Sequence, residues 1–225
     1  VGSEMCIRDS HEGLAMHTPK GYDFGMLAKR PQTRKTRMGS SSRRRPRTAR
    51  IGITGSLASG KTTVLKAFRK AGFAILSADD VVADIYRRLK FDKSQISSKA
   101  SPTRAGIRKL EKWIHPLVKK EILRFIRRRA KKSVVVEVPL LFEAGFQKIF
   151  DLNLMIFAPK AARRKRAMKR GMSKPLFELL ESLQWSPSKK AAMADFILLN
   201  ESKKSLTTQA KRLSSFLKRK AEALL

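Results

Sequence analysis

The sequence has a single cysteine, Cys6, and only 18 acidic residues against 51 lysines and arginines. One thiol excludes an intramolecular disulfide and any cysteine-rich metal site, and it fits a reducing, cytoplasmic compartment. Aromatic residues make up 7% of the chain, with neither an RNA-recognition aromatic motif nor zinc-finger spacing, so stacking platforms for nucleic acid are scarce. No apolar run is long enough to cross a bilayer: Val134 to Phe142 is broken by Glu137, and Leu152 to Ala158 is too short. Acidic residues are absent from Lys29 to Arg50, and residues 1–48 show no sustained hydrophobic period. This head is expected to be a disordered basic extension, with residues 1–10 reading as non-native sequence. The Arg43-Arg44-Arg45 cluster within it is either a solvated tail or a polyanion-binding or targeting segment.

What remains has an ordinary hydrophobic content of 42%, and at 225 residues the chain is long enough for one substantial core. Its net charge of +33 calls for anionic company, whether phosphate-rich ligands, nucleic acid or an anionic membrane surface. From residue 49 onward strand-like and helix-like runs alternate, which predicts an α/β domain over 49–225 with a doubly wound, five-stranded parallel sheet. Strands are expected at Ile51 to Thr54, Phe73 to Ser77, Ser133 to Val138, Leu152 to Phe157 and Ala194 to Leu199. Helices are expected from Lys61 to Ala71, ended by Gly72, and from Gly106 to Arg129, interrupted or kinked at Pro116. A last helix from Lys203 carries Leu206, Ala210, Leu213 and Leu217 on one face.

Between the first strand and the first helix lies Gly55-Ser56-Leu57-Ala58-Ser59-Gly60-Lys61-Thr62, the P-loop (Walker A) pattern, followed by Thr63. Its glycines let the backbone wrap so that successive N–H groups point at one anion, and the helix N-terminus adds partial positive charge. Lys61 is then placed for the β- and γ-phosphates of ATP, and the Thr62 hydroxyl for Mg²⁺. Asp79 ends the next strand beside this loop and is the candidate general base, although Asp79 or Asp80 is also suited to cap a helix running from Val81. Glu137, after three valines, is either a carboxylate near the metal or a structural one. The cationic run from Lys160 to Arg170 suits a lid over the nucleotide within 159–186, since a guanidinium can hold phosphate bidentately, although Arg163, Arg164, Arg166 and Arg170 cannot all be inside and most are expected on the lid's solvated face.

Taken in order, four separated segments resemble the dephospho-CoA kinase family. These are Ile51-Gly52-Ile53-Thr54-Gly55 through Thr62-Thr63-Val64, Ala71-Gly72 to Asp79, Trp113-Ile114-His115-Pro116-Leu117-Val118, and Glu137-Val138-Pro139-Leu140-Leu141-Phe142-Glu143. Weaker echoes follow in Arg166, Arg170, Gln184 and Ala194-Asp195 to Asn200. The resemblance implies phosphorylation of the ribose 3′-hydroxyl of dephospho-CoA by ATP with Mg²⁺, Asp79 matching the base and Lys61 acting on the phosphates. It implies that His115 and Pro139, Leu140, Leu141, Phe142 and Glu143 face the acceptor, within an acceptor-side helical region spanning 80–130, and that Arg166 and Arg170 serve the nucleotide. Ser56 and Ser77 stand where relatives commonly have Gly and Asp, and the stretch from Asp79 to His115 is shorter than the family's, with a Ser/Lys/Pro-rich patch from Lys93 to Arg104. Two alternatives stay open at this point: a P-loop kinase with another nucleotide-like acceptor, and a basic nucleotide- or nucleic-acid-binding protein of weak catalytic power.

Overall fold

Five short apolar runs become strands, buried on both faces at the centre of the sheet and half-buried toward its edges. In the computed structural model, which describes residues 48–89 and 104–222, they are β1 (Arg50–Thr54), β2 (Ala74–Ser77), β3 (Val134–Glu137), β4 (Leu152–Phe157) and β5 (Phe196–Leu199). All pair in parallel in the order β2-β3-β1-β4-β5, with β1 at the centre: Ile51 lies opposite Val135 on one side and Leu152 on the other. The helices are α1 (Lys61–Lys70), α2 (Ala78–Arg88), α3 (Arg104–Arg128), α4 (Lys160–Lys169), α5 (Lys174–Leu183), α6 (Pro187–Met193) and α7 (Lys203–Glu222), with one 3₁₀ turn at Phe146–Ile149. This is the doubly wound, five-stranded sheet that the alternating pattern predicts. The basic head as far as residue 47, Cys6 included, and nearly all of the patch from Lys93 to Arg104 lie outside the described residues.

Strand alternation divides the core in two. Val135 joins Ile51, Ile53, Leu154, Ile156 and Leu198 beneath α1 and α7, where Val64, Leu65, Phe68, Leu206, Ala210, Leu213 and Leu217 are buried. Val136 and Val138 face the other way, onto Val81 and Ile85 of α2 and Ile114, Val118 and Ile122 of α3. Each fully buried Leu, Ile or Phe in these layers contributes about 2 kcal/mol of transfer free energy, so both layers hold the sheet flat against its helices. The stripe on α7 falls at the expected helical positions.

Two local expectations fail for identifiable reasons. Pro116 neither ends nor interrupts α3, which continues through it. Both Lys112, whose carbonyl loses its helical partner there, and Pro116 are exposed, so water can solvate the freed group. Helix α2 begins earlier than Val81, at Ala78 with Ser77 as its N-cap residue, so Asp79 and Asp80 stand in the first turn instead of capping it. There the helix dipole favours their negative charge.

Candidate active site

The C-terminal ends of β1, β2, β3, β4 and β5 lead into the segments that carry chemistry, as expected for an open parallel sheet. After β1, the loop from Gly55 turns into α1 with its carbonyls held from behind. Asn200 Nδ2 donates to Ser59 O at 2.6 Å, Arg166 Nη1 to Ala58 O at 3.3 Å, Arg163 Nη1 to Leu57 O at 3.4 Å, and Lys61 Nζ to Gly55 O at 3.0 Å. Among the described residues no backbone carbonyl takes the N–H of Leu57, Ala58, Gly60, Lys61 or Thr62. Donors without partners around a helix N-terminus make an anion cradle. Gly60 has φ of 108°, and a Cβ there would lie 2.4 Å from Asn200 Nδ2, the group that secures the loop. Gly60→Ala is therefore expected to cost about 2 kcal/mol or more and to abolish nucleotide binding, as read by urea unfolding and ATP titration; wild-type ATP affinity would contradict the cradle.

Three charges converge at the mouth of this cradle. Lys61 Nζ is 3.9 Å from Glu137 Oε1 at the end of β3, and both side chains are 11% exposed, so neither is well hydrated. Burial pulls the Lys61 pKa down, and the cations Lys190 and Arg163 pull the same way, while Glu137 and Asp79 oppose them. Burial likewise pushes Glu137 up, against the Lys61 charge and a hydrogen bond from Ser77 and with help from Asp79 and Asp80. Asp79 is raised by burial of its carboxyl, opposed by Lys61 and reinforced by Asp80. As a whole residue Asp79 is exposed, so water still reaches it and the desolvation is partial. Thr62 is exposed on the first turn of α1, and Thr63 N bonds Gly60 O at 3.0 Å inside the turn. Perturbed groups gathered at strand ends around a phosphate cradle are what a phosphoryl-transfer site requires.

After β3 the chain makes a tight turn. Pro139 O accepts from Thr54 Oγ1 at 3.0 Å and Lys190 Nζ at 3.1 Å, and Lys190 also pairs with Glu143 Oε1 at 2.9 Å. Leu141 and Phe142 are buried among Ile114, Val118 and Phe146. His115, on α3, stacks edge-on against Phe146 with centroids 5.8 Å apart, and burial lowers its pKa so that it is neutral near pH 7. Arg166 also reaches Asn200 O at 3.4 Å, and its pKa is lowered by burial and then by its neighbours Arg170 and Arg163. Arg164 and Arg170 are exposed, whereas Arg163 is buried. A groove of about 260 Å³ lined by Leu76, Arg88, Glu121, Arg124 and Phe125 runs along the outer edge of β2 and includes none of these residues.

The family model for dephospho-CoA kinase matches residues 90–205. A dephospho-CoA kinase of Bartonella henselae is 35% identical over 169 residues, covering 66% of this chain and 87% of that protein. The chain belongs to the dephospho-CoA kinase family. Two solved structures agree with it in fold. A Thermus thermophilus protein is 26% identical with a TM-score of 0.63, over 76% of this chain and 97% of the other. Dephospho-CoA kinase from Campylobacter jejuni is 23% identical with a TM-score of 0.56, over 76% of this chain and 98% of the other.

Within this dephospho-CoA kinase family member, the expected acceptor residues divide into two kinds. Pro139 and Leu140 are partly exposed, and His115 lies beside the turn they begin, but Leu141 at 0% and Phe142 at 3% exposure offer a ligand no surface. Their apolar side chains are worth more in the core than at a solvent-facing site, so they anchor the turn instead of lining it. Glu143 is likewise engaged, by Lys190 and by the backbone N–H of Trp185 at 2.9 Å. The sequence does not single out Lys190 or Glu181, because the burial of a charge depends on a partner brought from another element. The only available signal was the apolar spacing around Lys190, which is too weak to act on.

Proposed function

We propose that this chain transfers the γ-phosphoryl group of ATP to the ribose 3′-hydroxyl of dephospho-CoA, giving coenzyme A and ADP. The observation that carries the reading is the meeting of Lys61, Glu137 and Asp79 at the mouth of the Gly55–Thr62 cradle. The cradle's free N–H groups and the Lys61 ammonium bind the transferring and leaving phosphate oxygens, and Arg166 and Arg170 add positive charge on the nucleotide side. Asp79 accepts the proton of the attacking hydroxyl, and its exposure leaves room for the acceptor to reach it. Neutral His115 and the turn at Pro139 and Leu140 bound the acceptor side, within the 80–130 region, while 159–186 covers the nucleotide side. Because phosphoryl transfer needs little covalent help, catalysis here is placement plus charge stabilisation.

The residues present also fit Mg²⁺. Among the described residues no cluster of three or more carboxylate, His or Cys groups is built to hold an ion alone. That suits a cation bound chiefly by phosphates and water, with Thr62 Oγ1 and the Glu137 carboxylate as its protein contacts. When bound, Mg²⁺ neutralises charge developing on the β- and γ-phosphates.

Both substrates are anions, so the net charge of +33 favours their approach and, nonspecifically, that of polyanions. No helix among the described residues is long and apolar enough to cross a membrane. An ATP-consuming step in a chain with one cysteine suits a cytoplasmic setting. Coupled measurement of ADP release against dephospho-CoA and a panel of other nucleotide-like and sugar-like acceptors tests the assignment. Turnover is expected with dephospho-CoA well above every other acceptor, and its absence would overturn the reading.

A further inference from the structure

Two cations, Arg163 and Lys190, are buried, and each is fully engaged. The Arg163 side chain, 2% exposed, donates Nε to Ala158 O at 2.9 Å and grips Glu181 with both terminal nitrogens, at 2.5 and 2.6 Å, while Nη1 also reaches Leu57 O of the phosphate loop. The Lys190 side chain is 0% exposed, and its ammonium has three acceptors for three protons: Glu143 Oε1 at 2.9 Å, Pro139 O at 3.1 Å and Gln184 Oε1 at 3.4 Å. Gln184 follows α5, whose Glu181 belongs to the first cluster, so the stretch from α5 to α6 joins the phosphate loop to the turn after β3. The charges also sense one another. Lys190 is attracted by Glu143 and Glu181 and repelled by Arg163, and Lys61 is repelled by both buried cations.

We propose that Lys190 is a positioning residue for the acceptor, holding the Pro139–Glu143 turn in register with the phosphate loop through the Pro139 carbonyl and the Glu143 carboxylate. The turn has three other fixings: its apolar anchors Leu141 and Phe142, which set depth but not direction, the Thr54 hydroxyl on the same Pro139 carbonyl, and the Trp185 N–H on Glu143 Oε1. Directional contact from α6 itself comes from Lys190, which reaches both the Pro139 carbonyl and the Glu143 carboxylate. Loss of the ammonium leaves Glu143 buried without its cation, and its Oε2 already lacks a hydrogen-bond partner. The turn then shifts to hydrate the carboxylate, and misplacement of about 1 Å far from the reacting atoms costs on the order of 10²-fold in rate.

This role rests on the acceptor assignment made above, and the test separates the two. ADP release is measured with each substrate varied in turn, for wild type, Lys190→Met, Lys190→Arg and the double variant Lys190→Met/Glu143→Leu, alongside urea unfolding of each. Lys190→Met is expected to raise KM for dephospho-CoA about tenfold or more while KM for ATP moves less than about threefold, and Lys190→Arg to recover part of that loss. The double variant removes both charges together, which in buried pairs is commonly neutral or stabilising, so its unfolding midpoint should return to the wild-type value while KM for dephospho-CoA stays high. A double variant whose midpoint and acceptor KM are both restored shows that Lys190 serves stability alone and overturns the proposal. Should Lys190→Met fail to fold, the double variant and Lys190→Arg decide by the same criterion. Wild-type protein that binds ATP but shows no dephospho-CoA-dependent turnover overturns the acceptor assignment, and the Lys190 role with it.

Discussion

Asp79→Asn is expected to lower kcat by about 10²- to 10⁴-fold with KM for ATP nearly unchanged, the range for losing a positioned general base. The amide keeps the size of the side chain and its place in the first turn of α2, and gives up only proton affinity. The pH profile carries the more specific signature. Burial and Asp80 hold the Asp79 pKa above the ordinary carboxylate value, against the pull of Lys61. Since the base works ionised, wild-type kcat/KM should fall as pH drops through this raised value, and the variant should lose that limb. Stability gives an internal control. A carboxyl whose folded pKa is raised costs stability above that pKa, and the cost lifts as pH falls through it toward the unfolded value. Asn removes this cost but also forfeits a favourable charge at a helix N-terminus, so the opposing changes should leave unfolding within about 1 kcal/mol of wild type. A variant retaining more than a tenth of wild-type kcat, with the acid limb intact, would show that another group takes the proton.

The place of Asp79 beside the cradle is legible in the sequence and the burial of Lys190 is not, because each depends on its surroundings over a different range. The Gly55–Thr62 cradle is a local object: spacing of Gly, Lys and Thr between an apolar strand and an amphipathic helix is enough to specify it, and Asp79 follows because β2 must end beside β1's neighbour β3. The apolar stripe of Leu206, Ala210, Leu213 and Leu217 is local in the same sense. Burial of a charge is not. Arg163 and Lys190 sit inside only because Glu181 and Glu143 arrive from other elements, and without those partners both would belong in water. Sequence distance hid the pairs. The turn after β3 shows a mixed case, since Pro139 to Glu143 stand out as a motif while the inward direction of Leu141 and Phe142 is decided by packing against α3. Pro116 inside α3 and the early start of α2 failed because the local rules describe buried helices and side-chain caps. Here the freed carbonyl faces solvent, and the N-cap residue Ser77 makes no side-chain capping bond.

Lys61→Ala should remove the largest single electrostatic contribution of the chain, lowering kcat by about 10³-fold or more and weakening ATP binding as well. The ammonium is already desolvated, with burial lowering its pKa, so its charge acts on phosphate oxygens with little screening. Truncation has a second effect. Glu137, 11% exposed and 3.9 Å from Lys61, loses the cation that holds its pKa down and rises further. Protonated Glu137 is a poorer partner for a metal cation, so extra Mg²⁺ should restore Lys61→Ala less well than it restores a variant that weakens nucleotide binding alone. Stability moves the other way. A lysine with a lowered folded pKa costs stability below that pKa, and the cost is lost as pH rises through it, so Ala relieves a penalty at neutral pH while Glu137 adds one. Lys61→Arg should not rescue the rate, because a planar fork cannot occupy the point-charge position between Gly55 O, Ser56 O and Glu137. The residual activity of Lys61→Ala should keep the acid limb that Asp79 sets, since proton acceptance and charge stabilisation reside on different side chains. Joint loss of that limb and of kcat on removing Lys61 would mean that the lysine acts chiefly by setting the ionisation of Asp79.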